Sequence, residues 1–418
     1  LASPFGVFGY TSRATAMGGA QGAAVRDHGS IFYNPANMVL RHKTHMGLSL
    51  NMVTPRLHID SPNPDDQPEL PETNATVALG LVFPLGGLLD YRVAIGIALS
   101  LPLIQLTRLE ANDPARPYFY LYDSLPDHLV IAPALGFRIF DWLRLGIGVQ
   151  ILAAFKADFD ATADVESRRI DQRSLAVDLA GATGVVASIG STIGPVDIGV
   201  TFRDELELSY KIPIGIRFTG VGDLSLVAAG TALYNPRELN FGFAYHLDEP
   251  RLTLAADLTL AFWSRAPDPT ALVTGTVDDA ELRPDEEEEG TLFDLSTTPI
   301  HLGARDIAIP RFGAEWWVND LISLRAGYFH RPAIVPDQTG YSNIMDSTAN
   351  VFSLGGGATF PDPLHISEEN ASIDFHIQLT ALNSRETTKN PADGAVVEGT
   401  YESGGLIWNV GIEFRQDF

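Results

Sequence analysis

The sequence contains no cysteine, which excludes a disulfide framework, a thiolate metal centre and a cysteine nucleophile. Positive charge is scarce: 28 Lys and Arg stand against 52 Asp and Glu, for a formal net charge of −24. A protein held to nucleic acid by phosphate contacts needs a basic face, so that class is excluded. Long apolar runs are missing too. The longest weakly polar stretch, Leu179 to Val196, is broken by glycines, serines and threonines and does not read as a membrane-spanning helix. Gly146-Ile147-Gly148 lacks the third glycine of a dinucleotide loop and no Gly-x-Ser-x-Gly elbow occurs, so neither an enzyme nor a cofactor is expected. The chain opens Leu1-Ala2-Ser3-Pro4-Phe5 without a charged and then apolar leader, so any secretory signal has been removed or never existed.

What is present is apolar residue in quantity. With 45% apolar residues, 19% charged and 38 glycines, the chain is too hydrophobic for disorder. The apolar residues recur with period two, which places alternate side chains on one face of a strand. Leu143, Leu145, Ile147, Val149 and Ile151 oppose Arg144, Gly146, Gly148 and Gln150; Leu252, Leu254, Ala256, Leu258 and Leu260 oppose Thr253, Asp257 and Thr259. Ile322, Leu324, Ala326 and Tyr328 oppose Ser323, Arg325 and Gly327 in the same way, as do Trp408, Val410, Ile412 and Phe414 against Asn409, Gly411, Glu413 and Arg415.

A soluble sandwich would show the same alternation, so length and number of strands decide. About fourteen such segments occur, many of ten residues or more, as suits a tilted membrane strand. They run over 44–59, 73–85, 91–109, 127–139, 142–160, 173–190, 194–212, 229–247, 251–265, 300–318, 321–333, 351–361, 371–382 and 404–417. Short turns such as Phe140-Asp141, Gly194-Pro195 and Asn319-Asp320 interleave with long polar loops at 60–72, 110–126, 266–299, 334–350 and 383–403. That asymmetry belongs to a closed outer-membrane barrel, not to a sandwich. The expected fold class is therefore all-β: a transmembrane antiparallel barrel of about fourteen strands. An even strand number leaves both chain ends periplasmic, and the last strand ends in the aromatic Phe418.

Residues 1–42 do not alternate. They carry Met17-Gly18-Gly19-Ala20-Gln21-Gly22-Ala23-Ala24, then Asp27 and Tyr33-Asn34-Pro35-Ala36, and suit a compact plug folded into the lumen ahead of a barrel over 43–418. Here the sequence resembles the long-chain fatty acid transporter family of outer-membrane proteins, the FadL and TodX type. The resemblance rests on Ser12 to Ala20, Asp27, and Ser30-Ile31-Phe32-Tyr33-Asn34-Pro35-Ala36, which look like that family's hatch. Pro236 to Leu247, Leu252 to Ser264, Leu324 to Tyr328 with Pro332 and Pro336, and Asp346 followed by Phe352 to Gly357 extend it over nearly the whole chain. The resemblance implies a monomeric barrel, exported through the periplasm to the outer membrane among lipid and lipopolysaccharide. It takes up long-chain fatty acids or related hydrocarbons passively, through a lumen site, after which hatch rearrangement and a kink in the third strand open a path, in some members sideways into the bilayer. The alternative within the family is a non-transporting barrel that docks partner proteins, as the shuttle subunits of secretion systems do.

Particular residues carry these expectations. Asn34-Pro35-Ala36 reads as a simple turn or as a hinge of the hatch, since proline fixes its own φ. Ser100-Leu101-Pro102 lies in the third segment, where proline removes a ladder hydrogen bond; it marks either a kink and lateral gate or the end of the strand. Leu1, Phe5 and Phe8 are expected to line an apolar tunnel or to pack the hatch on the wall. Arg144, Lys156, Arg203, Arg311 and Arg325 face inward, and of these Arg203, Arg311 and Arg325 are candidate ligand contacts. Asp197, Asp257, Glu315, Asp374 and Glu413 also face inward, however, and internal ion pairs would occupy most of the cations. The run Asp285-Glu286-Glu287-Glu288-Glu289 reads as a solvated acidic loop, and His42 and His45 lack the further ligands a metal needs.

Overall fold

The structure is a computed structural model describing residues 7–418 except 64–67, 105–115, 123–128, 165–168, 219–221, 269–271, 279–290, 297–300, 363–364, 366 and 396–397. Its strands are β1 (His45–Asp60), β2 (Asn74–Leu85), β3 (Val93–Pro102), β4 (Tyr118–Phe119), β5 (Leu129–Phe140), β6 (Leu143–Asp164) and β7 (Arg169–Ile193). There follow β8 (Val196–Arg203), β9 (Leu206–Phe218), β10 (Gly222–Asn235), β11 (Arg237–Leu247), β12 (Leu252–Phe262), β13 (Leu272–Asp278) and β14 (Thr291–Ser296). The last are β15 (Ile307–Trp317), β16 (Ile322–Arg331), β17 (Ile344–Met345), β18 (Ala349–Pro361), β19 (Asn370–Lys389) and β20 (Gly399–Asp417). Among the described residues no helix is long and apolar enough to cross a membrane.

Fourteen strands close into an antiparallel barrel in the order β1, β2, β3, β5, β6, β7, β8, β11, β12, β15, β16, β18, β19, β20, and β20 pairs back onto β1 from His45↔Asp417 to Asp60↔Glu402. Closure leaves the barrel no free edge, the condition for a sheet in hydrocarbon. Every expected segment holds one barrel strand. Two of them, 194–212 and 229–247, overran: β8 ends at Arg203 and β11 begins at Arg237, and the chain between leaves the barrel as the β9–β10 hairpin. This hairpin pairs with β6 on one side and with β13 and then β14 on the other. Alternation reports that a segment is a strand, not which sheet it joins, and so it ran through the breaks. At the base of the excursion Arg237 Nη2 donates to Asp204 Oδ1 at 2.8 Å, pinning the two departure points together.

The apolar face of each strand points outward. Leu48, Leu50 and Met52 of β1, Leu145 and Ile147 of β6, and Val410 and Ile412 of β20 are exposed, whereas Ser49, Asn51, Arg144, Gln150, Asn409 and Glu413 are buried inside. In a lipid bilayer that arrangement puts hydrocarbon against hydrocarbon and leaves polar groups to be satisfied in the lumen.

The N-terminal segment supplies much of that satisfaction. A short helix, Ser12–Ala16, starts where Thr11 Oγ1 accepts from the Ala14 N–H at 3.1 Å; a second turn, Ser30–Tyr33, precedes a 3₁₀ stretch, Pro35–Leu40. The segment fits because the strands around it present glycines. Cβ atoms on Gly146, Gly199, Gly242, Gly313 and Gly327 would overlap or crowd Ala36, Gly22, Ala23, Met17 and Gly18 respectively. Backbone therefore lies directly on backbone, which only residues without bulk permit.

Charge fixes the same contact. Arg13 donates to Glu315 through Nη2 at 2.7 Å and Nε at 2.9 Å, and its Nη1 lies 3.3 Å from Asp27 Oδ2. Arg325 joins Glu315 at 2.7 Å to Asp374 at 2.5 Å, and Arg415 Nε reaches Asp374 Oδ2 at 2.5 Å. Glu413 Oε2 accepts from the Ser12 N–H at 2.6 Å, while its Oε1 lies 3.2 Å from His28 Nε2. Burial lowers the pKa of the His28 imidazole, so the ring beside Glu413 is neutral at neutral pH.

Two expectations follow. Gly199→Val should lift Gly22 and Asn34 off β8, so that protease cuts within 7–41 several times faster while the heat-modifiable barrel band on gels persists; equal cutting rates would contradict the close-packed seat. Arg13→Met leaves Asp27 with Arg415 alone, at 3.8 Å, and Glu315 with Arg325 alone, and should cost about 3–5 kcal/mol of attachment. Hydrogen exchange over residues 12–28 should rise steeply, and unchanged exchange would show the pairs to be incidental.

Candidate ligand-binding site

Two adjoining chambers lie between the N-terminal segment, the outer loops and the wall formed by β11, β12, β15 and β16. The first is apolar. Val7, Leu121, Ala261, Trp263, Ile307, Ile309, Phe329, Ile334, Ala349 and Val351 line a cavity volume of about 30 Å³ together with Tyr122, Glu238, Arg311, Arg331 and Thr380. Its roof is the small parallel pairing of β4 with β17, which brings two distant loops together over the lumen. Trp263 is fully buried and meets Tyr120 and Tyr234 edge-on, with ring centroids 6.2 and 5.9 Å apart. Arg331 on the rim is consumed internally: Nη2 donates to Asp346 Oδ1 at 3.0 Å, to the Tyr122 hydroxyl at 3.1 Å and to the Ser347 carbonyl at 2.8 Å.

The second chamber is polar, with a volume of about 40 Å³ lined by Gly19, Gly22, Phe32, Tyr33, Arg203, Glu238, Asn240, Asp257, Thr259 and Arg311. Glu238 and Arg311 border both chambers, so one carboxylate and one guanidinium stand where the two adjoin. Arg203 pairs with Glu238 at 3.3 Å, donates to the Phe32 carbonyl at 2.5 Å and stacks 4.4 Å from the Phe32 ring centre. Arg311 donates to the Gly18 carbonyl at 3.2 Å and covers Phe329 at 4.2 Å. Asp257 Oδ2 accepts from the N–H groups of Gln21 and Gly22 at 3.1 and 2.7 Å, tying the segment to β12.

Of the residues singled out in the sequence, Arg203 and Arg311 line the polar chamber. Phe8 is buried beside the apolar one, its ring 6.5 Å from that of Tyr122. Leu1, Phe5 and the acidic run 285–289 lie outside the described residues. Arg325 is a correction: its side chain is fully buried between Glu315 and Asp374, and it lines neither chamber. Arg144 likewise serves structure, donating to Asn37 Oδ1 at 3.3 Å and Thr192 Oγ1 at 2.8 Å. His45 pairs with Asp417 at 2.6 Å, His42 stacks on Tyr91, and among the described residues no group of three or more acids and histidines could hold a metal.

Two further readings change with the structure. Asn34-Pro35-Ala36 has the geometry of an anchor, not of a free hinge. The Asn34 amide donates to the Gly22 carbonyl at 2.6 Å, its Oδ1 accepts from the Ala36 N–H at 3.2 Å, and that N–H also reaches Ser188 Oγ at 2.9 Å. Nor does Ser100-Leu101-Pro102 kink β3: the strand runs to Pro102 as its last residue, and its ladder with β5 is continuous from Val93↔Phe137 to Ser100↔Val130. Proline at a strand end forfeits no ladder bond. One strand further on the ladder lacks two pairs while its register holds. β5 and β6 pair at Ile131↔Ile151 and again at Ala134↔Gly148, and the intervening Ala132-Pro133 makes no pairs with Val149-Gln150, since Pro133 has no N–H to give.

Sequence reasoning did not single out Glu238, Asn240, Tyr122 or Trp263 as site residues. Glu238 and Asn240 occupy inward positions of β11 and were open to the same alternation argument as the arginines. Tyr122 sits in a loop, where no periodicity speaks.

Residues 6–418 match the family described as outer membrane protein transport protein (OMPP1/FadL/TodX). Among solved structures, a Pseudomonas aeruginosa FadL homologue is 15% identical with a TM-score of 0.60, covering 97% of this chain and 98% of its own. The P. putida toluene transporter TodX is 15% identical with a TM-score of 0.61 and 99% coverage of both chains. The Ralstonia pickettii toluene transporter TbuX is 16% identical with a TM-score of 0.55, covering 99% of this chain and 100% of its own. At such identities the likeness is one of fold. No curated protein matches the sequence. The match over nearly the whole chain, on a closed fourteen-stranded barrel with an apolar exterior, shows that this protein belongs to the FadL/TodX family of outer-membrane transport proteins.

Proposed function

We propose that the protein carries hydrophobic molecules passively across the outer membrane, receiving them in the apolar chamber under the outer loops. The observation that supports this most is the chamber itself: a pocket of aliphatic and aromatic side chains enclosed in an otherwise polar lumen. Each Å² of ligand surface moved there from water contributes about 25 cal/mol, so entry needs no energy source. A barrel that only docked partner proteins would have no use for such a chamber, and catalysis is not invoked. Hydrocarbons and long-chain acids are the candidate cargoes, and two relatives of the same fold are toluene transporters. The closed barrel leaves no edge for strand pairing, which suits a monomer among lipid and lipopolysaccharide.

Residues 7–41 act as the hatch in this reading. They occupy the path to the periplasm and must shift or be bypassed. We place the bypass at Pro133. On the lumen side Ile31, Phe32, Met38, Ala98, Val130, Ala132 and Leu152 form one apolar cluster, and on the lipid side Ile97, Leu135 and Ile147 are exposed. An apolar molecule crossing where the ladder is already open passes from hydrocarbon to hydrocarbon without meeting bulk water.

Ile309→Trp should fill the apolar chamber and reduce uptake of a radiolabelled hydrocarbon into proteoliposomes at least tenfold with the barrel still folded; undiminished uptake would remove the chamber from the route. Pro133→Val restores the missing donor. It should slow appearance of cargo in the bilayer several-fold while leaving binding to purified protein unchanged, and an unaltered rate would assign the exit to the periplasmic end.

A further inference from the structure

The polar chamber has more unmet hydrogen-bonding capacity than a structural filler requires. Asp257 and Asn240 are 6% and 8% exposed, and Asp257 Oδ1 and Asn240 Oδ1 have no hydrogen-bond partner in the protein. Arg203 Nε is buried and likewise unmatched. Buried polar atoms are nearly always paired, so acceptors and a donor left over in one cavity call for an occupant that does both. A volume of about 40 Å³ is room for roughly two or three waters, or for one small polar group.

Charge narrows the choice. The chamber sets two guanidiniums, Arg203 and Arg311, against two carboxylates, Glu238 and Asp257. A carboxylate head would add a third negative charge beside two existing ones and could only accept hydrogen bonds; an alkane could neither give nor take. A hydroxyl donates one and accepts two without altering the charge. Glu238 and Arg311 border the apolar cavity as well, so the polar group would sit next to apolar wall.

We infer that the polar chamber is a head-group subsite for a neutral hydroxyl: the cargo class is a hydrophobe ending in an alcohol or phenol, whose O–H donates to Asp257 or Asn240 and whose oxygen accepts from Arg203 Nε. This deepens the transport reading and rests on it. The chamber then acts as a selector, in which the hydroxyl makes two hydrogen bonds that a bare hydrocarbon leaves unmade.

The test uses the full detergent-purified chain with diphenylhexatriene as the reporter of apolar ligand binding, displaced by 1-octanol, octanoate or octane. Octanol should displace it at least tenfold more effectively than octane and than octanoate. Asn240→Leu should reduce the octanol advantage over octane to less than threefold. Thr259→Val, which removes the hydroxyl that accepts from the Asn240 amide at 2.9 Å, should do the same in part, so that a folding failure of one variant leaves the other to decide. Equal displacement by octanol and octane would mean that the chamber holds water alone and overturns the assignment, leaving transport intact. Preference for octanoate would overturn it in favour of an anion site. Failure of diphenylhexatriene to bind, or of all three to displace it, would overturn the apolar chamber as a ligand site and the transport reading with it.

Discussion

The ladder between β1 and β20 closes the sheet, and most other features of the chain answer to that closure. In hydrocarbon an unpaired backbone N–H or C=O costs several kcal/mol, so a sheet survives there only when its last strand pairs with its first. Sixteen residues of β1, His45 to Asp60, are matched against β20. Once the ring is closed, alternation leaves no freedom about faces: every second side chain meets lipid and must be apolar, and the others enter a confined lumen where polar groups need partners.

The N-terminal segment is the lumen's answer to that second demand. It brings backbone N–H groups to Glu413 and Asp257 and a guanidinium to Glu315 and Asp27. In turn it relies on strand glycines at the points where backbone meets wall. A buried charge pair is weak evidence for net stability, but breaking one partner is severe. The network therefore favours an all-or-nothing seat over a graded one, a useful property for a plug that must hold against thermal motion and yet be part of a route.

The barrel was legible in the sequence because a lipid-facing strand is a strong, repeated and local pattern. The site was legible only in part. Inward orientation of Arg203, Arg311 and Arg325 followed from parity, yet parity cannot say which carboxylate each will meet. Arg325 lies between Glu315 of β15 and Asp374 of β19, two strands away, and Arg203 and Arg311 lie at cavities. Proline removes ladder bonds only where it falls inside a strand. Pro102 closes β3 with no bond lost, whereas Pro133, within a strongly alternating strand, opens the ladder to β6.

What the sequence determined by itself is the class of molecule: a closed membrane barrel of about fourteen strands with a non-alternating segment ahead of it, because hydrophobic periodicity is set residue by residue by the solvent each face meets. The tertiary structure alone decided that β8 pairs directly with β11 while the chain between them leaves the barrel as a hairpin, which cations are neutralised, and where two cavities share Glu238 and Arg311. Those are outcomes of strand register and of contacts between residues hundreds of positions apart. The periodicity of any one segment carries no record of them.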